Sequence, residues 1–98
     1  MYVTDISGTG SDNGLYAVDL DDNTILGSVT GVTAVPHNVA ASKDKIFVTH
    51  SGPTNDVVSV YSASADVPVP VFEKDLTVGL NPFGLAYVEP KCVWDAFV

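Results

Sequence analysis

A chain of 98 residues, 46% apolar and 16% charged, is too apolar for a disordered tail and large enough for one core only. Four lysines, no arginine and twelve acidic residues leave a net charge of −8, which repels phosphate backbones and argues against nucleic acid and anionic membrane surfaces as partners. No apolar run approaches bilayer-spanning length, so membrane insertion is not expected; cations, basic proteins and neutral sugars stay open, and solubility alone accounts for the charge.

The predicted elements are strands throughout. The first, Tyr2-Val3-Thr4-Asp5, lies so near the start that the chain begins inside a strand, without a basic region or an apolar targeting core. That is expected of a leaderless chain or of a processed or partial piece, which would place it outside the cell or in a periplasm. After the polar loop 7–13 comes Leu15-Tyr16-Ala17-Val18-Asp19, then a turn carrying Asp19, Asp21, Asp22 and Asn23, then an extended stretch from Thr24 to Thr30. Pro36-His37-Asn38-Val39-Ala40 follows. A two-residue turn at Lys43-Asp44 leads into Phe47-Val48-Thr49-His50. Beyond a second polar loop lie Val57-Val58-Ser59-Val60-Tyr61, the segment Val67-Pro68-Val69-Pro70-Val71 running on to Thr77, and Pro82-Phe83-Gly84-Leu85-Ala86. Each is short, β-branched and bounded by Gly, Pro, Asn or Asp, and no window carries helical apolar spacing.

Laid on itself, the chain repeats. Tyr2-Val3-Thr4 returns as Phe47-Val48-Thr49, Leu15 to Asp19 returns as Val57 to Tyr61, and Pro36 to Ala40 returns as Pro82 to Ala86, at offsets of 42 to 46. One repeat covers about 2–42 and a second about 47–88, with a divergent tail 89–98 in which Lys91 to Trp94 is a candidate further strand. Nine strands are plausible on this reading. Proline at alternate positions 68 and 70 removes two donors from one strand edge, which predicts an edge strand there, or else a proline-rich connection.

The run from Pro36 to His50, followed by Val57 to Tyr61, resembles the YVTN and NHL-like β-propeller repeats. The likeness spans nearly the whole chain and implies an all-β architecture of antiparallel four-stranded blades, about two of them. It implies little about activity, because propellers host enzymes, adhesins and scaffolds alike. Two departures stand out: a closed propeller needs at least about four blades, and the hairpin at Lys43-Asp44 lacks the usual glycine. Two blades alone would leave two apolar faces uncovered. The expected function is therefore non-enzymatic: a structural unit that self-assembles as a homo-oligomer or polymer, or completes a propeller with another chain. A ninth strand counts against the simplest ring of identical units. The competing expectations are a fragment of an extracellular propeller binding a ligand or metal at its rim, and a piece of a propeller enzyme.

Two residue groups could carry metal chemistry. If Lys43-Asp44 is a two-residue turn, His37 stands directly opposite His50 with Cβ atoms about 5 Å apart, close enough to share a divalent ion. A one-residue slip would send the rings to opposite faces, and a third ligand is not evident. Asp19, Asp21 and Asp22 form the densest set of hard oxygens, suited to calcium, although a solvated hairpin turn is the better reading. Nucleophilic catalysis finds no motif: Cys92 has no histidine near it in sequence, and Glu73 and Glu89 are too far apart in the repeat to act as a pair. Tyr2, Tyr16, Phe47, Tyr61, Phe72, Phe83, Tyr87 and Trp94 fall at strand positions and are assigned to packing rather than to a sugar platform.

Overall fold

The computed structural model describes residues 1–6, 14–30, 32–33 and 35–88. They form seven strands and no helix: β1 (Tyr2–Asp5), β2 (Gly14–Asp19), β3 (Thr24–Thr30), β4 (Pro36–Ala41), β5 (Lys45–His50), β6 (Val57–Ser62) and β7 (Val71–Thr77). The all-β class is as expected, with seven strands among the described residues in place of nine; the candidate strand at Lys91 to Trp94, like Cys92, lies outside them. The strands make two antiparallel sheets in simple chain order, β1-β2-β3 and β4-β5-β6-β7.

The two sheets carry the same ladder. In the first, Gly14 faces Thr30, Leu15 faces Val29, and a bulge between Ala17 and Val18 brings Val18 opposite Ile25. In the second, Val57 faces Thr77, Val58 faces Leu76, and a bulge between Val60 and Tyr61 brings Tyr61 opposite Phe72. Every rung corresponds, displaced by 43 positions from β2 to β6 (Gly14 to Val57) and by 47 from β3 to β7 (Thr30 to Thr77). The register thus moves the sequence alignment by one residue: the counterpart of Leu15 is Val58, not Val57. The inner hairpins agree as well, since Val3 faces Tyr16 as Val48 faces Ser59.

Alternation along the strands fixes the faces. Tyr2, Leu15, Ala17 and Val29 share one face of the first sheet, and Ile46, Val48 and Tyr61 share one face of the second. Leu15, Ile46, Val48, Tyr61 and Ala63 form the buried cluster, with Tyr2, Val29, Val32 and Val39 packed against it. The core is therefore the seam between the sheets.

The proline segment is a connection, not a strand. β7 begins at Val71, and residues 63–70 cross the seam as a linker, with Pro70 buried. A proline offers no donor to a ladder, and this stretch is ordered by packing instead. The Tyr2 hydroxyl donates to the Pro68 carbonyl at 3.0 Å. Val69 lies so close over β3 that a Cβ at Gly27 would fall 2.6 Å from its Cγ2. The expected edge strand is nonetheless present one step later, because β7 ends the four-stranded sheet.

Candidate functional site

The turn between β4 and β5 has the expected two residues. Ser42 N donates to Lys45 O at 2.8 Å, and Ala41, Ala40 and Val39 pair with Ile46, Phe47 and Val48. The ladder then shifts, so that Pro36, not His37, stands opposite His50. The expected direct pairing of the two histidines is replaced by a bulge, for a local reason: Pro36 has no N–H to donate, and Val35 before it takes a φ of 54° that few β-branched residues adopt. Val35 O instead accepts from Ser51 N at 3.1 Å.

The two rings go to different surroundings. His37 lies against Phe83, centroids 4.2 Å apart, and its Nδ1 is buried without a hydrogen-bond partner among the described residues. His50 is fully buried, and its Nε2 lies 2.7 Å from Ser59 Oγ. Ser59 in turn donates to Asp75 Oδ1 at 2.5 Å.

A serine, a histidine and an aspartate in contact invite comparison with a hydrolase triad, but the order of the bonds is different. Ser59 has one proton and gives it to the carboxylate, so His50 Nε2 must be the donor to Ser59 Oγ. A nucleophilic serine gives its proton to the imidazole; Ser59 gives its proton to Asp75 instead. The cluster joins β5, β6 and β7 across the sheet and satisfies polar groups in the seam. A cleft of about 260 Å³ opens onto it, between Val29 and Thr30 of one sheet and Ser59, Tyr61, Phe72 and Asp75 of the other. Burial, and then the charge of Asp75, push the Tyr61 phenol above its ordinary range. Sequence alone gave no sign of this cluster, since its three members come from three strands.

The acidic turn is exposed. Asp19 Oδ1 accepts the Asp21 amide at 2.8 Å, and Asp22 Oδ1 accepts both the Thr24 amide at 3.1 Å and the Thr24 hydroxyl at 2.6 Å. The Thr24 bonds hold the Asp22 carboxyl below the usual range. These are the side-chain-to-backbone bonds by which Asp builds a turn, completed by Asn23 at a φ of 60°. Among the described residues no three of His, Cys, Asp and Glu gather as a metal site would require.

The most informative polar contacts recur between the sheets. Thr4 Oγ1 of β1 donates to the His37 carbonyl at 2.8 Å, and its counterpart Thr49 Oγ1 of β5 donates to the Phe83 carbonyl at 2.8 Å. His37 and Phe83 are themselves counterparts, each following a proline. Positive φ recurs just before those prolines, at Val35 and at Asn81 with 58°. Asn38 Nδ2 also donates to Phe83 O at 2.8 Å, and Asn81 Oδ1 accepts the Gly52 amide at 2.7 Å. Residues 82–88 thus sit on the outer face of the second sheet as β4 sits on the first, yet pair with no strand among the described residues.

The outer faces differ from the seam in exposure at most matched positions, Val60 of the second sheet being buried like its counterpart Ala17. Val48 is 1% exposed, whereas its counterpart Val3 is 41% exposed; Ile25, Leu76 and Phe83 are also open. Set against family models, curated proteins and solved structures, the chain matches none.

Proposed function

We propose that the protein is a non-enzymatic assembly unit, two propeller blades of the YVTN or NHL-like kind whose copies stack through the same interface that joins its own two sheets. The carrying observation is the repeated threonine-to-carbonyl bond, Thr4 to His37 and Thr49 to Phe83. It means that the outer face of the second sheet presents Phe47, Val58 and Leu76, around a Val60 already buried within the chain, where the first presents Tyr2, Leu15, Ala17 and Val29. The outer face of the first sheet presents Met1, Val3, Val18 and Ile25 where the second presents Ile46, Val48, Tyr61 and Phe72. One copy's open face therefore repeats half of a packed seam, and the next copy's open face repeats the other half. Such a contact is heterologous and gives a ring if its rotation closes, or a filament if it does not. The donor order in the His50–Ser59–Asp75 cluster supports a structural role over a catalytic one.

Light scattering behind size exclusion over a dilution series tests this reading. The expected mass is a multiple of the 10.3 kDa chain that falls on dilution. A folded monomer at every concentration overturns it. Val58→Asp blocks one face and Val3→Asp the other. Each variant alone should be reduced to small species, and an equimolar mixture should yield a dimer.

A further inference from the structure

We propose that residues 82–88 of one copy become the fourth strand of the three-stranded sheet of a second copy, antiparallel to β1 with Leu85 opposite Val3. The inference rests on the assembly reading above and supplies its joint.

β4 makes two kinds of contact. Its edge pairs with β5, Val39 facing Val48 and Ala40 facing Phe47. Its His37 carbonyl takes the Thr4 hydroxyl of the other sheet. Residues 82–88 already make the second contact, through Phe83 and Thr49, and among the described residues lack only the first. The counterpart of β5 is β1, which ends its sheet and meets no strand on its outer edge among the described residues. Among the described residues, a segment without an edge and an edge without a segment occur in one chain. By the register of β4 on β5, Leu85 meets Val3, Ala86 meets Tyr2 and Tyr87 meets Met1. Main-chain pairing of this sort is how an added strand gains affinity.

The two cannot meet within one copy. Thr49 and Asn38 hold residues 82–88 on the outer face of the second sheet, while the first sheet packs on its inner face. Only the β1 of another copy can reach the segment.

The flanking residues fit a second copy. Inside the molecule, the linker 63–70 lies over Gly27, which must have no side chain, and takes the Tyr2 hydroxyl on Pro68. At the joint the counterparts of Gly27 and Tyr2 are Lys74 and Phe47, and the counterpart of the linker is the short acidic turn Leu20 to Asn23. That turn needs no clearance and no hydroxyl partner. It carries Asp21 and Asp22, both exposed, toward the exposed Lys74. The seven strands and the donated one then make two four-stranded sheets per copy.

The test uses the full chain with Cys92→Ser as background. Val3→Cys and Leu85→Cys are made in separate samples, mixed, and oxidised mildly. Directly opposed strand residues lie within disulfide reach. The mixture should give a covalent dimer joining positions 3 and 85, and either variant alone should not. Thr4→Cys in place of Val3→Cys should cut the yield several-fold, because it points to the other face. Lys74→Glu should weaken association about tenfold, and Asp21→Lys with Asp22→Lys on the partner should restore it. Circular dichroism confirms that each variant is folded. An oligomer by light scattering without the disulfide overturns strand donation and leaves face-to-face assembly standing. A monomer throughout overturns both.

Discussion

The sheets β1-β2-β3 and β4-β5-β6-β7 have the same ladder, the same bulge and the same threonine-to-carbonyl bond, yet equivalent residues live in different solvents. Leu15 is buried in the seam, and Val58 on the matching rung is half-buried on an outer face. Register is set by backbone pairing and bulges, whereas burial is set by what lies across the face. The comparison separates the two, because here the first is constant while the second changes.

The largest break in that equivalence is expected from truncating matched rungs. Leu15→Ala should cost about 2–5 kcal/mol in denaturant unfolding, the range for a buried leucine. Val58→Ala should cost about 1 kcal/mol or less in the dissociated chain. Equal losses at both positions would mean that the outer face is already covered. Ser59→Ala comes next. It leaves Asp75 and His50 without their hydroxyl, which should cost about 1–3 kcal/mol, while Tyr16→Ala on the corresponding rung of the first sheet should cost less.

Gly27→Ala should lose about 1–3 kcal/mol by overpacking on Val69 and recover most of it when combined with Val69→Ala. Lys74→Ala, its counterpart, should leave the stability of the dissociated chain within about 0.5 kcal/mol of the parent. Val35→Asn sharpens the comparison from the other side. Asn81 already occupies the matching positive-φ position, so the change should stabilise by about 1 kcal/mol through relief of backbone strain. The reverse change, Asn81→Val, should destabilise.

The smallest effect concerns pH. The fold raises the Tyr61 pKa through burial and Asp75. The stability associated with the neutral phenol is therefore complete below the ordinary tyrosine value of about 10 and is lost as pH rises through the raised folded value. Unfolding midpoints between about pH 9 and about pH 11 should fall in the parent and fall less in Tyr61→Phe.

Much of the fold was legible because strands repeat with period two and turns have characteristic residues. The Lys43-Asp44 turn and the all-β class of the described residues both follow from local chemistry. The bulges do not. Nothing at Ala17 or Val60 announces an extra residue, and the slip at Pro36 that separates His37 from His50 depends on a positive φ at Val35 that no local pattern announces. The Val67 to Val71 segment could be a strand or a linker by alternation alone. Gly27, 42 residues earlier than Val69, decides it by leaving room for the linker to cross. The Ser59 cluster was invisible for the same reason: its geometry arises only after β5, β6 and β7 are in register.

Pro70 stands immediately before the first rung of β7, where Val71 meets Ser62. If β7 slid toward its own C-terminus during folding, a residue with no amide proton would enter the ladder, and a second would follow at Pro68. Sliding the other way would push the linker off Gly27 and the Tyr2 hydroxyl. The linker thus acts as a mechanical stop on both sides, which gives a strand exposed along its whole length a single resting place.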